Sequence, residues 1–191
     1  MRNKIIKYLQ DFCVALGNIE VTKRGEVVDI DEGIRLCVGW LRQVKKTGSF
    51  VYLIGNGGSA AIASHQVTDF MKACGMKASS PMEHSLLTCM ANDCGYEQVF
   101  SEPLKILMEK DDLLIAISSS GQSKNILKST EVAAKKGCNI ITMSGFKPDN
   151  HLRSKGDMNF YVPSCSYMFV ESAHLFICNM FIDFTLESAK S

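Results

Sequence analysis

Apolar positions recur every three or four residues through the first fifty positions, and then the rhythm changes. Ile5, Leu9, Phe12, Cys13 and Leu16 fall at helical spacing and predict an amphipathic helix over residues 4–17. A second helix is predicted after "DIDE", with Ile34, Cys37, Val38 and Leu41 on one face and Gly48 as its stop signal. From residue 50 onward, short apolar runs alternate with helical segments. The runs are "FVYLI" (50–54), a weak one at "KASSP" (77–81), "DLLIAI" (112–117), "NIITM" (139–143) and "NFYV" (159–162). The best of them are continuously apolar, as expected of strands covered on both faces. Their alternation with helices predicts βαβ units and a doubly wound, five-stranded parallel sheet flanked by helices, an α/β fold. The last segment, from Tyr167 to about Glu187, is apolar on more than one side and predicts a buried helix. Together with the leading helices it predicts a helical face at a subunit interface. With no low-complexity linker and no internal repeat, residues 1–191 read as one domain: leading helices over 1–48, sheet core and terminal helix over 50–191.

Composition narrows the class. A 46% hydrophobic content with 21% charged residues is that of a soluble globular chain. Twenty-one basic and 20 acidic residues are interspersed, giving a formal net charge of +1. No basic stripe offers the counterion-releasing surface that nucleic acid demands, so direct nucleic-acid binding is not expected. Eight cysteines are scattered without a C-x-x-C pair and read as buried reduced thiols in a cytoplasmic protein. "MRNKIIKYLQDFC" lacks the apolar run of a signal peptide, and no stretch of 18 wholly apolar residues marks a membrane span.

Candidate chemistry sits where predicted strands turn into predicted helices. In an open parallel sheet, ligands bind outside the carboxyl ends of the strands. Gly55-Asn56-Gly57-Gly58-Ser59 occupies that place after the first strand. Glycine lets backbone N–H groups approach a ligand, and the helix that follows adds its positive end, a combination suited to an anion. No Lys-Ser/Thr follows and the pattern is not G-x-G-x-x-G, so a nucleotide is not implied. A purely structural turn fits the stretch equally well. The third strand ends in "ISSSGQSKN", where Ser118, Ser119, Ser120 and Ser123 surround Gly121. Four hydroxyls around a glycine can surround phosphate oxygens with uncharged donors, although a solvated loop has the same look. The same architecture after two strands favours a phosphorylated small molecule.

Beyond the first turn, His65 and Asp69 are four residues apart and share a helix face, about 9 and 15 Å beyond Ser59 at 1.5 Å per residue. Such a pair can bind zinc, or can be an ordinary polar contact. Glu171 and His174 form a Glu-x-x-His pair on the terminal helix. There the histidine reads either as a ligand or as a satisfied core residue. His84 and His151 have no partner spacing and read as surface groups.

"GNGGSAAIASH", "ANDCGYE" and "AISSSGQSKNI", in this order and spacing, resemble the sugar isomerase (SIS) family, and more narrowly the phosphoheptose isomerases. The similarity runs from the leading helices to the terminal one. It implies a cytoplasmic homotetramer with active sites shared between subunits, each with a zinc ion. Through the resemblance, His65, Asp69 and Glu171 become metal ligands, and Asp69, Glu171 and Asn179 become the catalytic positions. Asn56, Gly57, Gly58, Ser59, Ser118, Ser119, Ser120 and Ser123 would hold the phosphate, with Asn92, Asp93 and Glu171 contacting the sugar. The implied reaction converts sedoheptulose 7-phosphate into D-glycero-D-manno-heptose 7-phosphate, supplying heptose to a surface polysaccharide or lipopolysaccharide.

Three positions depart from the family pattern. Asp69 stands for a glutamate, Glu171 for a glutamine and Asn179 for a histidine. Aspartate shortens the reach of the carboxylate by one methylene. An amide cannot exchange a proton near neutral pH, and losing one acid or base typically costs about 10²–10⁴ in rate. The DnaA initiator-associating protein also has asparagine there. A silent sugar-phosphate-binding or protein-interaction protein, or an isomerase of another sugar phosphate, therefore stands beside the first reading.

Overall fold

A computed structural model describes residues 1–187; the last four positions of the predicted 1–191 domain lie outside the described residues. Five parallel strands form the heart of the sheet: β3 (Phe50–Ile54), β4 (Lys77–Ser79), β5 (Leu113–Ser118), β6 (Asn139–Gly145) and β7 (Met158–Val162). Each predicted run lies on one of them, within about two residues at either end. Two further strands, β1 (Glu20–Lys23) and β2 (Glu26–Val28), were not expected. They form an antiparallel hairpin against β7, giving the order β2-β1-β7-β6-β5-β3-β4. Arg24 and Gly25 carry φ angles of 50° and 89° at its tip, the left-handed pair that a tight two-residue hairpin turn needs.

β5 and β6 are buried almost throughout, because both faces of the sheet are covered. On one face lie α2 (Ile30–Thr47), α3 (Gly58–Lys72) and α7 (Tyr167–Glu187), with Leu41, Phe70 and Phe181 packed against Ile115, Ile141 and Phe160. On the other face, α5 (Ser101–Leu107) and α6 (Lys124–Lys136) bury Leu104 and Ile126 against Ile54 and Leu114. α4 (His84–Asp93) covers the edge there, and α1 (Arg2–Gly17) rests on α7. α2 begins on Asp29, whose side chain accepts from the Asp31 N–H, and ends at Gly48 in a left-handed cap, as the stop signal predicted.

By length and composition α7 could cross a membrane, although it holds no run of 18 wholly apolar residues. Here Val170, Ala173, Ile177, Cys178 and Phe181 are instead fully buried against the sheet and the flanking helices. Its opposite side leaves Phe176 and Phe184 exposed, and α1 exposes Ile5, Ile6, Leu9 and Val14. The strand order reverses between β3 and β5, which opens a crevice at their carboxyl ends.

Candidate active site

Both turns predicted from the sequence meet in that crevice. A cleft of about 130 Å³ is lined by Asn56, Ser59, Ser118, Ser119, Ser120, Ser123, Tyr167 and Glu171. α3 and α6 begin at its rim. Neither is capped by its N-cap side chain (Gly57 and Ser123), whereas α2 and α4 are closed by Asp29 and Glu83. Apart from the Ile126 N–H, which donates to the Asn125 side-chain oxygen at 3.0 Å, the first-turn N–H groups have no side-chain cap and suit an anion.

The serine turn is held from behind. Its Ser119 and Gly121 carbonyls accept from the N–H groups of Gly145 and Leu152, at 3.0 Å each. Asn150 is buried beneath it, donating to the Lys147 carbonyl at 2.8 Å and accepting from the Arg153 N–H at 3.2 Å. At Gly121 φ is +63° and a Cβ would collide with Asn150, so only glycine fits. Ser118 donates to Ser123 across the turn at 3.2 Å. The Ser119 hydroxyl is buried with no hydrogen-bond partner. An orphaned buried donor is costly unless a ligand completes it.

Asn56 lines the cleft and also braces it. Its amide and that of Asn125 bond reciprocally, at 3.0 and 2.9 Å, which ties the glycine turn to the start of α6. Tyr96 donates its hydroxyl to the same Asn56 oxygen at 3.0 Å. The "ANDCGYE" segment therefore meets the glycine turn through Tyr96. Asn92 and Asp93 stand exposed at the end of α4, bonded to each other at 2.7 Å and absent from the serine cleft. Tyr96, Asn125 and Tyr167 escaped the sequence reading because their partners lie far away along the chain.

α3 and α7 run side by side in the same direction. Gly58 meets Glu171, and eight positions further along each helix Gln66 donates to the Asn179 carbonyl at 2.9 Å. A Cβ at position 58 would collide with the Glu171 carboxylate, so glycine is required there for space. His65 Nε2 stands 3.0 Å from Asp69 Oδ2, on the exposed side of α3. Gly58, Ala61, His65 and Asp69 are spaced by three and four and form one stripe along α3.

A zinc set of His65, Asp69 and Glu171 is not assembled within one chain. Among the described residues no three His, Cys, Asp or Glu side chains group as a metal site. The reason is axial distance: Glu171 sits at Gly58, about 10 Å along α3 from His65. His174 does not complete the set either. It is fully buried, bonded through Nε2 to the Ser144 carbonyl at 3.2 Å, and burial pushes its pKa down to about 4. It is a core residue. His84 and His151 are exposed, as expected.

The SIS domain family profile matches residues 18–145. The phosphoheptose isomerase of Sulfurimonas denitrificans is 34% identical over 160 residues, 81% of this chain and 80% of its own length. That of Trichlorobacter lovleyi is 29% identical over 189 residues, 96% and 92% of the two chains. In fold, the phosphoheptose isomerase structure from Neisseria gonorrhoeae superposes with a TM-score of 0.83 at 21% identity, over 96% of this chain and 98% of that one. The Francisella tularensis enzyme gives the same TM-score at 23% identity, with 97% of each chain covered. The chain belongs to the SIS-domain family, within the group of the phosphoheptose isomerases.

Proposed function

We propose that this chain is a phosphosugar isomerase acting on sedoheptulose 7-phosphate, which it converts to D-glycero-D-manno-heptose 7-phosphate for a surface glycan. The observation that carries the reading is the serine cleft, with its two open helix ends and the orphaned Ser119 hydroxyl. The names of the relatives support the choice of sugar. A phosphate anchored at Gly58 and the serine turn would lay the carbon chain along the α3 stripe. Ala61 is small and exposed, which leaves room for it, and the carbonyl end would arrive near His65 and Asp69.

In this reading Asp69 removes a proton from C1 of the ketose. The enediolate carries its charge on the C2 oxygen; the C1 hydroxyl passes its proton to that oxygen, and Asp69 returns the abstracted proton at C2, which leaves the aldehyde at C1. His65 Nε2–H holds the Asp69 carboxylate in place. Asn179, whose carbonyl is taken by Gln66, offers its amide N–H to the enediolate oxygen. Distal anchoring turns binding energy into orientation at the reacting carbons. A zinc ion held by His65 and Asp69 would need ligands beyond this chain. The exposed apolar faces of α1 and α7 support the expected homotetramer, which light scattering would test.

One observation favours a second reading, a catalytically silent sugar-phosphate-binding protein. Asn179 cannot exchange a proton, and His174 is buried too deeply to replace it. An assay of sedoheptulose 7-phosphate turnover, run with and without zinc alongside calorimetry, separates the two. Turnover supports the isomerase. Binding without turnover in zinc-supplied protein favours the silent protein, and no binding overturns both.

A further inference from the structure

The serine cleft contains one formal charge, and its sign is opposite to what a phosphate site ordinarily holds. Among its lining residues Glu171 is the one acidic side chain, and no Lys, Arg or His joins it. Lys124 lines a neighbouring hollow instead and stands 3.8 Å from Glu97. The Glu171 carboxylate lies against the Cα of Gly58, the first residue of α3, where the positive end of the helix favours an anion. No described group hydrogen-bonds to it, so nothing ties the carboxylate there except the helix end and the space that glycine leaves.

We infer that Glu171 is a specificity-determining residue: its carboxylate holds the anion position of the ligand-free cleft, and the phosphate of an incoming sugar must compete with it. The inference rests on the reading of the cleft as a phosphate site and gives that site a built-in rival. Like charges in a partly buried cleft of this size repel strongly, because little water lies between them to screen the interaction. A dianionic phosphate ester is therefore disfavoured relative to what the same hydroxyls would bind without the carboxylate. A neutral sugar feels no such repulsion.

Glu171→Gln tests this, since it removes the charge and keeps the shape. Calorimetry on metal-free protein would compare wild type and E171Q with sedoheptulose 7-phosphate, with inorganic phosphate and with unphosphorylated sedoheptulose. We expect both phosphates to bind about tenfold or more tightly to E171Q, while the neutral sugar is unchanged. Wild type that binds the sugar phosphate while E171Q binds it equally or more weakly overturns the inference, as does an equal gain for the neutral sugar. No uptake of sugar phosphate by either protein overturns the phosphate-site reading itself, and this inference with it. A melting curve guards against loss of fold. Should E171Q unfold, Glu171→Asp, which retracts the charge by one methylene, is expected to bind phosphate more tightly than wild type by a smaller factor, and equal binding overturns the inference.

Discussion

The two ends of the α3–α7 pair are built to different standards. At the first, around Gly58 and Glu171, one chain supplies five serine hydroxyls, two helix N-termini and a braced serine turn. Further along, His65, Asp69 and Asn179 lie on the open side, joined among the described residues by the His65–Asp69 pair and the Gln66–Asn179 bond. The first end is enclosed and backed by buried groups such as Asn150; the second is open to solvent. The contrast separates holding from reacting. In the proposed function, a single chain would be preorganised to grip a phosphate, whereas the groups that would move a proton lie on the open side of the helix pair.

The sharpest way to break the contrast is Asp69→Asn. If proton transfer belongs to the open end alone, turnover of sedoheptulose 7-phosphate should fall by about 10²–10⁴, with calorimetric affinity for the phosphate nearly unchanged. A parallel loss of binding would mean that the two ends are one site.

His174 lies between them on α7 and tests whether the middle of the pair is purely structural. Burial, partly opposed by the bond to the Ser144 carbonyl, pushes its pKa down to about 4 from the usual 6.5. The folded chain therefore keeps this imidazole neutral, while the unfolded chain takes up a proton below about pH 6.5. The associated stability is complete above 6.5 and is lost as pH falls toward 4, for a total of about 3 kcal/mol. Urea midpoints at pH 7 and 4.5 should diverge by that order in wild type and by much less in His174→Gln. Equal slopes in the two proteins would place the titration elsewhere.

Ser119→Ala addresses the enclosed end. A hydrogen bond to a charged ligand contributes about 1.5–3 kcal/mol, so phosphate affinity should fall by about tenfold or more. The rate at saturating substrate should hold. In the ligand-free chain the change removes a buried hydroxyl without a partner, so the melting temperature should stay level or rise. A rate that falls as far as the affinity would mean that the hydroxyl also touches the reacting end.

The enclosed end was also the more legible in sequence, for a physical reason. Continuous apolar runs in β3 and β5 announce strands buried on both faces, and the glycine and serine turns follow directly from them. Local chemistry therefore located the cleft. The β1–β2 hairpin was missed because Glu20, Lys23 and Glu26 break up its short apolar alternation, and only the Arg24–Gly25 turn could have announced it. Helical spacing correctly placed His65 beside Asp69. It could not reveal that Glu171 projects into the cleft, since that depends on α3 and α7 running parallel in register. Nor could it link Asn56 to Tyr96 and Asn125, which are 40 and 69 positions away.

Those two partners supply the smallest and most discriminating test. Tyr96→Phe deletes one exposed hydrogen bond to the Asn56 oxygen and leaves the reciprocal Asn56–Asn125 pair intact. A neutral bond of this kind contributes about 0.5–1.5 kcal/mol, less when water can replace the lost hydroxyl. Phosphate affinity should therefore weaken by a few-fold at most. Asn125→Ala removes both amide bonds and frees the glycine turn from α6, so its loss should be clearly larger. If Tyr96→Phe proves as damaging as Asn125→Ala, the brace depends on its exposed member, and the enclosed end is less self-sufficient than its buried contacts suggest. If both variants bind phosphate as wild type does, the glycine turn needs no brace, and the grip must come from the serine turn and the helix ends.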